Sequence, residues 1–261
     1  MRKAVFFDID GTIWDEHSFI PKSTREGIRK LRENGHYAFI CTGRTKGFIR
    51  DQRLLSLGFD GMIAGCGTYI ECDGKELFYQ KLDNRKVVDS LAVLRKYHMP
   101  VILEGKEYLY MDYEEFAGNE YAKKVKGEMS EYLLPISGNE SIWEISKFSA
   151  AGNEETYPLA LKELEGEYDF LVHGPHAIEF VPRGFSKASG IAKACGLLGV
   201  RKEDTYAFGD SVNDLQMLSF VAHGIAMGNG TKDAKEAAEY VTAPLREDGI
   251  YQGLVHYGLI S

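Results

Sequence analysis

Short apolar runs and helix-like segments alternate at both ends of the chain. The apolar runs have the length of strands, at residues 4–7, 37–41, 61–64, 205–208 and 222–227. The segments that follow them have the polarity and length of helices, at residues 22–34, 45–57, 187–198, 214–220 and 231–238. This alternation is typical of a parallel sheet with crossover helices. We therefore predict one α/β domain built from the first and last thirds of the sequence.

The middle of the chain has a different order of elements. A helical segment at 84–97 precedes strand-like runs at 101–104 and 108–111, and two more such runs close the region at 170–173 and 178–181. Polar helical segments lie between these pairs. We predict a Rossmann-like parallel-sheet core, residues 1–82 plus 183–261, interrupted by an inserted α+β domain at 83–182.

Composition narrows the possible functions. The 261 residues are 44% hydrophobic and 27% charged, which is ordinary for a soluble globular protein, and the net charge is −8. No long basic run is present, so we expect no nucleic-acid partner. No stretch of about 18 apolar residues occurs, so we expect no membrane partner. The four cysteines form no CxxC pair and the N-terminal apolar run is short, which favours a reducing cytoplasm.

Two aspartates directly follow the first predicted strand, in the segment Phe6-Phe7-Asp8-Ile9-Asp10-Gly11-Thr12. Residues two apart on an extended chain point to the same side, so the two carboxylates repel each other. They stay ionised together only if a cation lies between them; otherwise one takes a proton. A hard oxygen site suits Mg²⁺, and a carboxylate can attack phosphorus. Taken alone, the segment is also compatible with a solvated turn.

Other polar residues lie just past later strand ends or at a helix start, where open parallel sheets bind ligands. They are Thr42, Gly43, Lys187, Asp210, Asn213 and Asp214. Together with Asp8 and Asp10 they provide what phosphoryl transfer requires: a nucleophile, a proton donor, metal ligands and one ammonium. Two simpler interpretations stay open, a surface lysine at a helix start for Lys187 and a helix N-cap for Asp214.

These motifs, taken in order, resemble the haloacid dehalogenase (HAD) superfamily, specifically Cof-type phosphatases with a large C2-type cap. The four motifs are DxDGT at 8–12, a strand ending in Thr42 of CTGR, Lys187 in GFSKASG, and GDxxND at 209–214. AMGNG at 226–230 and REDGI at 246–250 resemble further segments of that family. One departure is Cys66-Gly67-Thr68, where Cof-type members often have Asn-Gly-Ala.

The resemblance implies roles for the carboxylates. Asp8 would be the nucleophile and a Mg²⁺ ligand. Asp10 would be the general acid and then the general base, with its backbone carbonyl on the metal. Asp210 would be a further metal ligand. Asp214 would bind the metal directly or orient one of its waters.

It also implies roles for the phosphate-binding groups. Thr42 and the backbone amides of Ile9 and Gly43 would bind the phosphoryl oxygens. Lys187 would neutralise their charge, and Asn213 would contact phosphate.

We therefore predict a Mg²⁺-dependent phosphatase that hydrolyses small phosphomonoesters, such as sugar phosphates or similar metabolites, through an aspartyl-phosphate. The predicted cap would choose the substrate. A phosphomutase or phosphotransferase on the same scaffold is the alternative, and a non-catalytic phosphate-binding regulator is a weaker one because Asp8 and Asp10 are both present. The sequence specifies neither the metabolite nor the oligomeric state.

Overall fold

The structure is a computed structural model that describes residues 2–116, 118–174 and 176–261. The N-terminal elements are β1 (Ala4–Phe7), α1 (Lys22–Glu33), β2 (Tyr37–Cys41), α2 (Gln52–Leu55), β3 (Gly61–Ala64), β4 (Tyr69–Cys72) and β5 (Lys75–Tyr79). The middle elements are α3 (Asn84–Lys96), β6 (Val101–Gly105), β7 (Leu109–Met111), α4 (Glu120–Met129), β8 (Leu133–Leu134), β9 (Ile145–Ala150), α5 (Tyr157–Leu164), β10 (Tyr168–Val172) and β11 (Ile178–Pro182). The C-terminal elements are α6 (Lys187–Leu198), β12 (Thr205–Gly209), α7 (Leu215–Phe220), β13 (His223–Ala226), α8 (Lys232–Ala237), β14 (Tyr240–Val241) and α9 (Gly249–His256).

The described chain divides into two compact units. The core unit contains the residues up to Gly43, 51–78 and 186–261, and the inserted unit contains 44–50 and 79–185. The predicted domain boundaries at 82/83 and 182/183 stay a prediction. The unit boundaries lie a few residues away from them, and segment 44–50 belongs to the inserted unit although it precedes the predicted insertion.

The core unit is built on a sheet with the strand order β14-β13-β12-β1-β2-β3-β4-β5. The strands from β14 to β3 run parallel, and β4 is antiparallel to β3. All four residues of β1 are buried, as expected for a strand with helices on both faces of its sheet. Strand β1 pairs with β12 on one side and β2 on the other, so it lies inside the sheet. The predicted α/β fold with a parallel-sheet core is confirmed.

The inserted unit has its own sheet, in the order β10-β11-β9-β6-β7-β8. Its pairs are antiparallel except β7 with β8. Strand β9 lies in the middle of this sheet, and its sequence does not predict a strand because three of its residues, Ser146, Lys147 and Ser149, are polar. One face carries Leu103, Phe148 and other apolar residues of the unit's core. Side chains alternate along a strand, so the next residues along these strands face the other way.

The helix predicted at 45–57 is wrong. The structure has a 3₁₀ turn at Lys46–Phe48, a non-helical residue at Ile49 and the short helix α2. Phe48 is buried in an apolar cluster of the inserted unit. A Cβ at Gly47 would lie 2.6 Å from the carbonyl oxygen of Gly105, so the two backbones are in close contact. These tertiary contacts outweigh the helical tendency of the segment.

No described helix has both the length and the apolar character that a membrane crossing requires.

Candidate active site

The parallel pairing of β1 with β12 brings Asp8 and Asp210 to the same edge of the sheet. Phe7 pairs with Phe208, and the Asp8 amide donates to the Phe208 carbonyl at 3.0 Å. Asp8 therefore follows the last residue of β1, and Asp210 follows the last residue of β12. The carboxyl ends of neighbouring parallel strands thus supply the first two acidic groups of the site.

Lys187, the first residue of α6, connects two of the site's carboxylates. Its Nζ lies 2.6 Å from Asp8 Oδ1 and 2.6 Å from Asp214 Oδ1, and only 2% of its side chain is exposed. The helix start is fixed by a capping box between Ser186 and Ser189. Lys187 is therefore a buried site residue, and its interpretation as a surface lysine is excluded.

The loop Cys66-Gly67-Thr68 supports the start of α6. Gly67 has φ +87°, and a Cβ there would lie 2.6 Å from the Ser186 carbonyl and 2.9 Å from Gly190. Only glycine allows both this backbone conformation and this approach. The loop that departs from the usual Cof-type sequence thus contacts the helix that carries Lys187.

Asp214 is fully buried and uses both carboxylate oxygens. Oδ1 accepts from Lys187, while Oδ2 accepts from the amides of Asp210 at 2.9 Å and Ser211 at 3.2 Å. It makes no side-chain capping bond to α7, so the simple N-cap interpretation does not describe it. Instead it ties the loop after β12 to Lys187.

Asp210 is held by the first motif. Thr12 Oγ1 donates to Asp210 Oδ1 at 2.9 Å. Gly11 has φ +87°, and a Cβ there would lie 2.3 Å from Asp210 Oδ2. The Gly-Thr pair after the two aspartates therefore leaves room for Asp210 and orients it.

Asp8, Asp210 and Asp214 form a group of carboxylates, each offering an oxygen within 4.8 Å of the others. Burial, followed by the charge of Asp214, raises the pKa of Asp8 well above its usual value. Burial and the same neighbour raise the pKa of Asp210 to about 6. Burial alone would lower the pKa of Lys187, but Asp214 and Asp8 outweigh it and raise that pKa. One ammonium therefore does not balance three carboxylates.

This imbalance fits a divalent cation. An oxygen-only donor set with surplus negative charge is what Mg²⁺ takes in proteins, where it uses one or two carboxylates and keeps several waters. A bound cation favours ionised carboxylates and removes the reason for their raised pKa values.

Other predicted residues follow the ends of β1 and β2, which run parallel and end at the same edge of the sheet. Asp10 is exposed, and its Oδ1 accepts from the Trp14 indole at 2.9 Å. Thr42 is buried, and its amide donates to the Ile63 carbonyl at 2.9 Å. Gly43 is the last residue of the first segment of the core unit. Ile9 is buried, and its carbonyl accepts from the turn that follows.

Asn213 lies in the 3₁₀ turn Val212–Asp214, where its Oδ1 accepts from the Ser211 hydroxyl at 2.7 Å.

The sequence motifs assign no role to four residues that the structure connects to the site's loops, Thr12, Trp14, Asn229 and Arg246. Asn229 donates to the Gly11 carbonyl at 2.8 Å and accepts from the Leu245 amide at 2.7 Å, which joins three loops. Arg246 pairs with Asp15, just after the first motif. In the sequence, Asn229 lies in the AMGNG segment and Arg246 in the REDGI segment. Their roles can be assigned only once their distant partners, Gly11 and Asp15, are known.

A model of the haloacid dehalogenase-like hydrolases matches residues 5–254. With most of the chain matched, the protein belongs to this family. It is of the Cof type, as the motifs indicated, and it is an enzyme that acts as a phosphatase.

Three relatives illustrate the similarity. YkrA of Bacillus subtilis, assigned to the phosphatases by its name, is 31% identical over 260 residues, or 99% of each chain. The 5-amino-6-(5-phospho-D-ribitylamino)uracil phosphatase YcsE of the same organism is 28% identical and covers 98% of this chain and 96% of its own. A solved sugar phosphatase of HAD subclass IIB has a TM-score of 0.82 and 29% identity, covering 99% of this chain and 100% of its own.

Proposed function

We propose that the protein is a Mg²⁺-dependent phosphatase that hydrolyses small phosphomonoesters through an aspartyl-phosphate on Asp8. The observation that carries the proposal is the arrangement of Asp8. This carboxylate lies at a strand end, bonded through Oδ1 to a buried ammonium, beside two further carboxylates. A carboxylate held in this way can attack phosphorus in a fixed direction.

The cation would be held by Asp8, Asp210, Asp214 and the backbone carbonyl of Asp10. When bound, Mg²⁺ supplies positive charge that orients the phosphate and stabilises its developing negative charge. Lys187, which bridges Asp8 and Asp214, would contribute its ammonium to neutralising the phosphoryl oxygens. Thr42, Asn213 and the amides of Ile9 and Gly43 would donate hydrogen bonds to the phosphoryl oxygens.

The covalent steps use two aspartates. Asp8 forms a bond to phosphorus while the ester P–O bond breaks, and Asp10 gives its proton to the leaving alkoxide. Asp10 then takes a proton from water as that water attacks the phosphorus, and the bond from phosphorus to Asp8 breaks to release phosphate. The carboxylate of Asp10 is exposed, which gives it access to substrate and water.

The substrate is proposed to be a small phosphorylated metabolite of the cytoplasm, such as a sugar phosphate. Relatives named for a sugar phosphate and for a phosphoribityl compound support this class. The proposed site residues bind phosphate and metal, and none of them is proposed to contact the leaving alcohol of the substrate. We therefore assign substrate choice to the predicted inserted domain, residues 83–182.

A panel of phosphorylated metabolites, with inorganic phosphate release as the readout, tests the activity and ranks the substrates. Adding a sugar acceptor distinguishes hydrolysis from transfer, because a phosphotransferase would yield a new sugar phosphate in place of free phosphate. Replacing residues 83–182 by the matching segment of YkrA tests the domain assignment. The ranking should change while phosphate release persists, and an unchanged ranking would refute the assignment.

A further inference from the structure

The turn after the first motif folds back on itself. The amides of Ile13 and Trp14 both donate to the Ile9 carbonyl, at 2.9 and 3.2 Å, and the Gly11 amide donates to the Trp14 carbonyl at 2.7 Å. These bonds place Trp14 next to Asp10, and the two residues form an isolated β-bridge. The indole is 6% exposed, and its Nε1 lies 2.9 Å from Asp10 Oδ1.

We propose that Trp14 is a positioning residue that holds the Asp10 carboxylate for proton transfer. This inference rests on the proposed role of Asp10 as general acid and base. An indole N–H donates and never accepts. The oxygen it binds, Oδ1, is therefore the better acceptor when it carries no proton, so this bond favours an unprotonated Oδ1. The bond thus favours Oδ2 as the oxygen that carries the proton Asp10 exchanges, and it helps to set the direction of that oxygen.

The bond is not needed to form the turn or to satisfy Asp10. Four backbone hydrogen bonds already close residues 9–14. Asp10 is exposed, so water could satisfy its carboxylate equally well. What a rigid, buried donor adds is orientation, because a solvated carboxylate samples several rotamers. Proton transfer depends on such orientation, and misplacement by about 1 Å costs on the order of 10²-fold in rate.

Leaving-group dependence separates positioning from general damage. The quantity kcat/KM covers the steps up to departure of the leaving group, the step in which Asp10 gives its proton. Nitrophenolate leaves without a proton, whereas a sugar alkoxide requires one. Trp14→Phe, which removes the donor, should lower kcat/KM about 10–100-fold for a sugar phosphate. The same variant should change kcat/KM little for 4-nitrophenyl phosphate.

Two further variants sharpen the test. Trp14→His restores a ring N–H the same number of bonds from Cα, since His Nε2 and Trp Nε1 are both two bonds from Cγ, and should recover most of the loss. Trp143→Phe makes the matched change in the inserted unit. The Trp143 indole is buried and has no hydrogen-bond partner among the residues that the structure describes. Its loss should leave the ratio between the two substrates unchanged.

A spectroscopic readout does not depend on turnover. The chain has two tryptophans, so its ¹H–¹⁵N spectrum should show two indole signals, which Trp143→Phe assigns. The Trp14 signal should lie downfield because its proton faces a carboxylate. Asp10→Asn should move that signal upfield and leave the Trp143 signal in place. An unmoved Trp14 signal would overturn the proposal even if Trp14→Phe failed to fold.

Failure of the inference differs from failure of the proposed function. If Asp10→Asn loses activity mainly on the sugar phosphate but Trp14→Phe slows both substrates equally, Trp14 is structural and only the inference is wrong. If Asp10→Asn itself shows no leaving-group dependence, Asp10 is not the acid, and both the inference and this part of the proposed mechanism fail.

Discussion

Each unit of the protein buries a lysine against two carboxylates. Lys187 in the core unit lies between Asp8 and Asp214, and Lys147 in the inserted unit lies beside Glu104 at 3.6 Å and is bonded to Glu179. Both lysine side chains are 2% exposed. Burial, residue types and pairing are therefore nearly the same in the two clusters.

The difference lies in the balance of charge. In the inserted unit, His173 Nε2 also lies 2.8 Å from Glu179. Against the effect of burial, Lys147 and His173 lower the pKa of Glu179 to about 2, whereas burial raises the pKa of Glu104. In the core unit a third carboxylate, Asp210, joins the cluster, and the pKa values of Asp8 and Asp210 are raised. A buried lysine with acidic partners does not by itself mark a site; uncompensated negative charge does.

The largest contrast should come from replacing one buried carboxylate beside each lysine. Asp8→Asn removes the nucleophile, because an amide cannot form the acyl-phosphate, and should lower kcat by about 10⁴-fold or more. Glu104→Gln makes the same change of group in the other cluster and should leave kcat little changed. Steady-state kinetics of both purified variants measures this, with mass spectrometry to exclude deamidation. A tenth of wild-type kcat in Asp8→Asn would mean that the covalent mechanism is wrong.

Replacing either lysine should destabilise the fold, but Mg²⁺ should restore stability in only one of the two variants. Lys187→Met and Lys147→Met each leave buried carboxylates without their ammonium, at a cost of about 3–5 kcal/mol. Mg²⁺ should return part of the stability of Lys187→Met, because the cation neutralises the same carboxylates. It should not help Lys147→Met. Urea unfolding with and without Mg²⁺ measures both effects, and equal rescue of the two variants would remove the distinction between the clusters.

Wild-type protein should be stabilised by Mg²⁺ and inactivated by EDTA. At about 100 times its Kd, a ligand that binds only the folded state adds about 2.7 kcal/mol. Asp210→Asn should abolish the resulting rise in Tm, whereas Glu179→Gln should keep it. Calorimetry of the wild type and of both variants, with and without Mg²⁺, tests this. If Mg²⁺ did not change the Tm of the wild type, the proposed site would be contradicted. Ca²⁺ should compete for the site without supporting turnover.

The smallest expected effect is a pH dependence of the metal-free protein. Folded Asp210 keeps its proton up to pH about 6, whereas an unfolded aspartate releases it near pH 4. The folded state therefore binds more protons in this window, so stability should fall as pH rises through it. After allowance for solvent screening, Asp210 should account for about 1–2 kcal/mol.

Glu179 should change stability with pH in the opposite direction. Its folded pKa of about 2 lies below the unfolded value, so its contribution is present above pH about 4 and is lost only in stronger acid. Urea unfolding between pH about 4 and about 7 should show a slope that Asp210→Asn reduces and Glu179→Gln leaves. A slope that Asp210→Asn does not alter would count against the charge imbalance.

Sequence patterns predicted the elements whose burial is local. The apolar run of β1 and the motifs at Asp8 and Asp210 identified the central strands and the residues at their ends. The sequence could not show that residues 45–57 break into short pieces, because Phe48 is buried by contacts with distant residues. Strand β9 was missed because Lys147 looks solvated until Glu104 and Glu179 are seen beside it. For the same reason Asn229 and Trp14 acquire roles only through their partners.

The position of β1 also dictates the order in which a newly synthesised chain can be completed. Strand β1 is made first, yet one of its two sheet neighbours is β12, which begins at Thr205. At about 5–20 residues per second, that partner follows roughly 10–40 s later, after the continuous stretch 79–185 of the inserted unit has emerged. Until then the half-built sheet presents the bare hydrogen-bonding edge of a fully apolar strand. Ribosome-associated chaperones are therefore expected to engage this chain early and to release it only after β12 has been made.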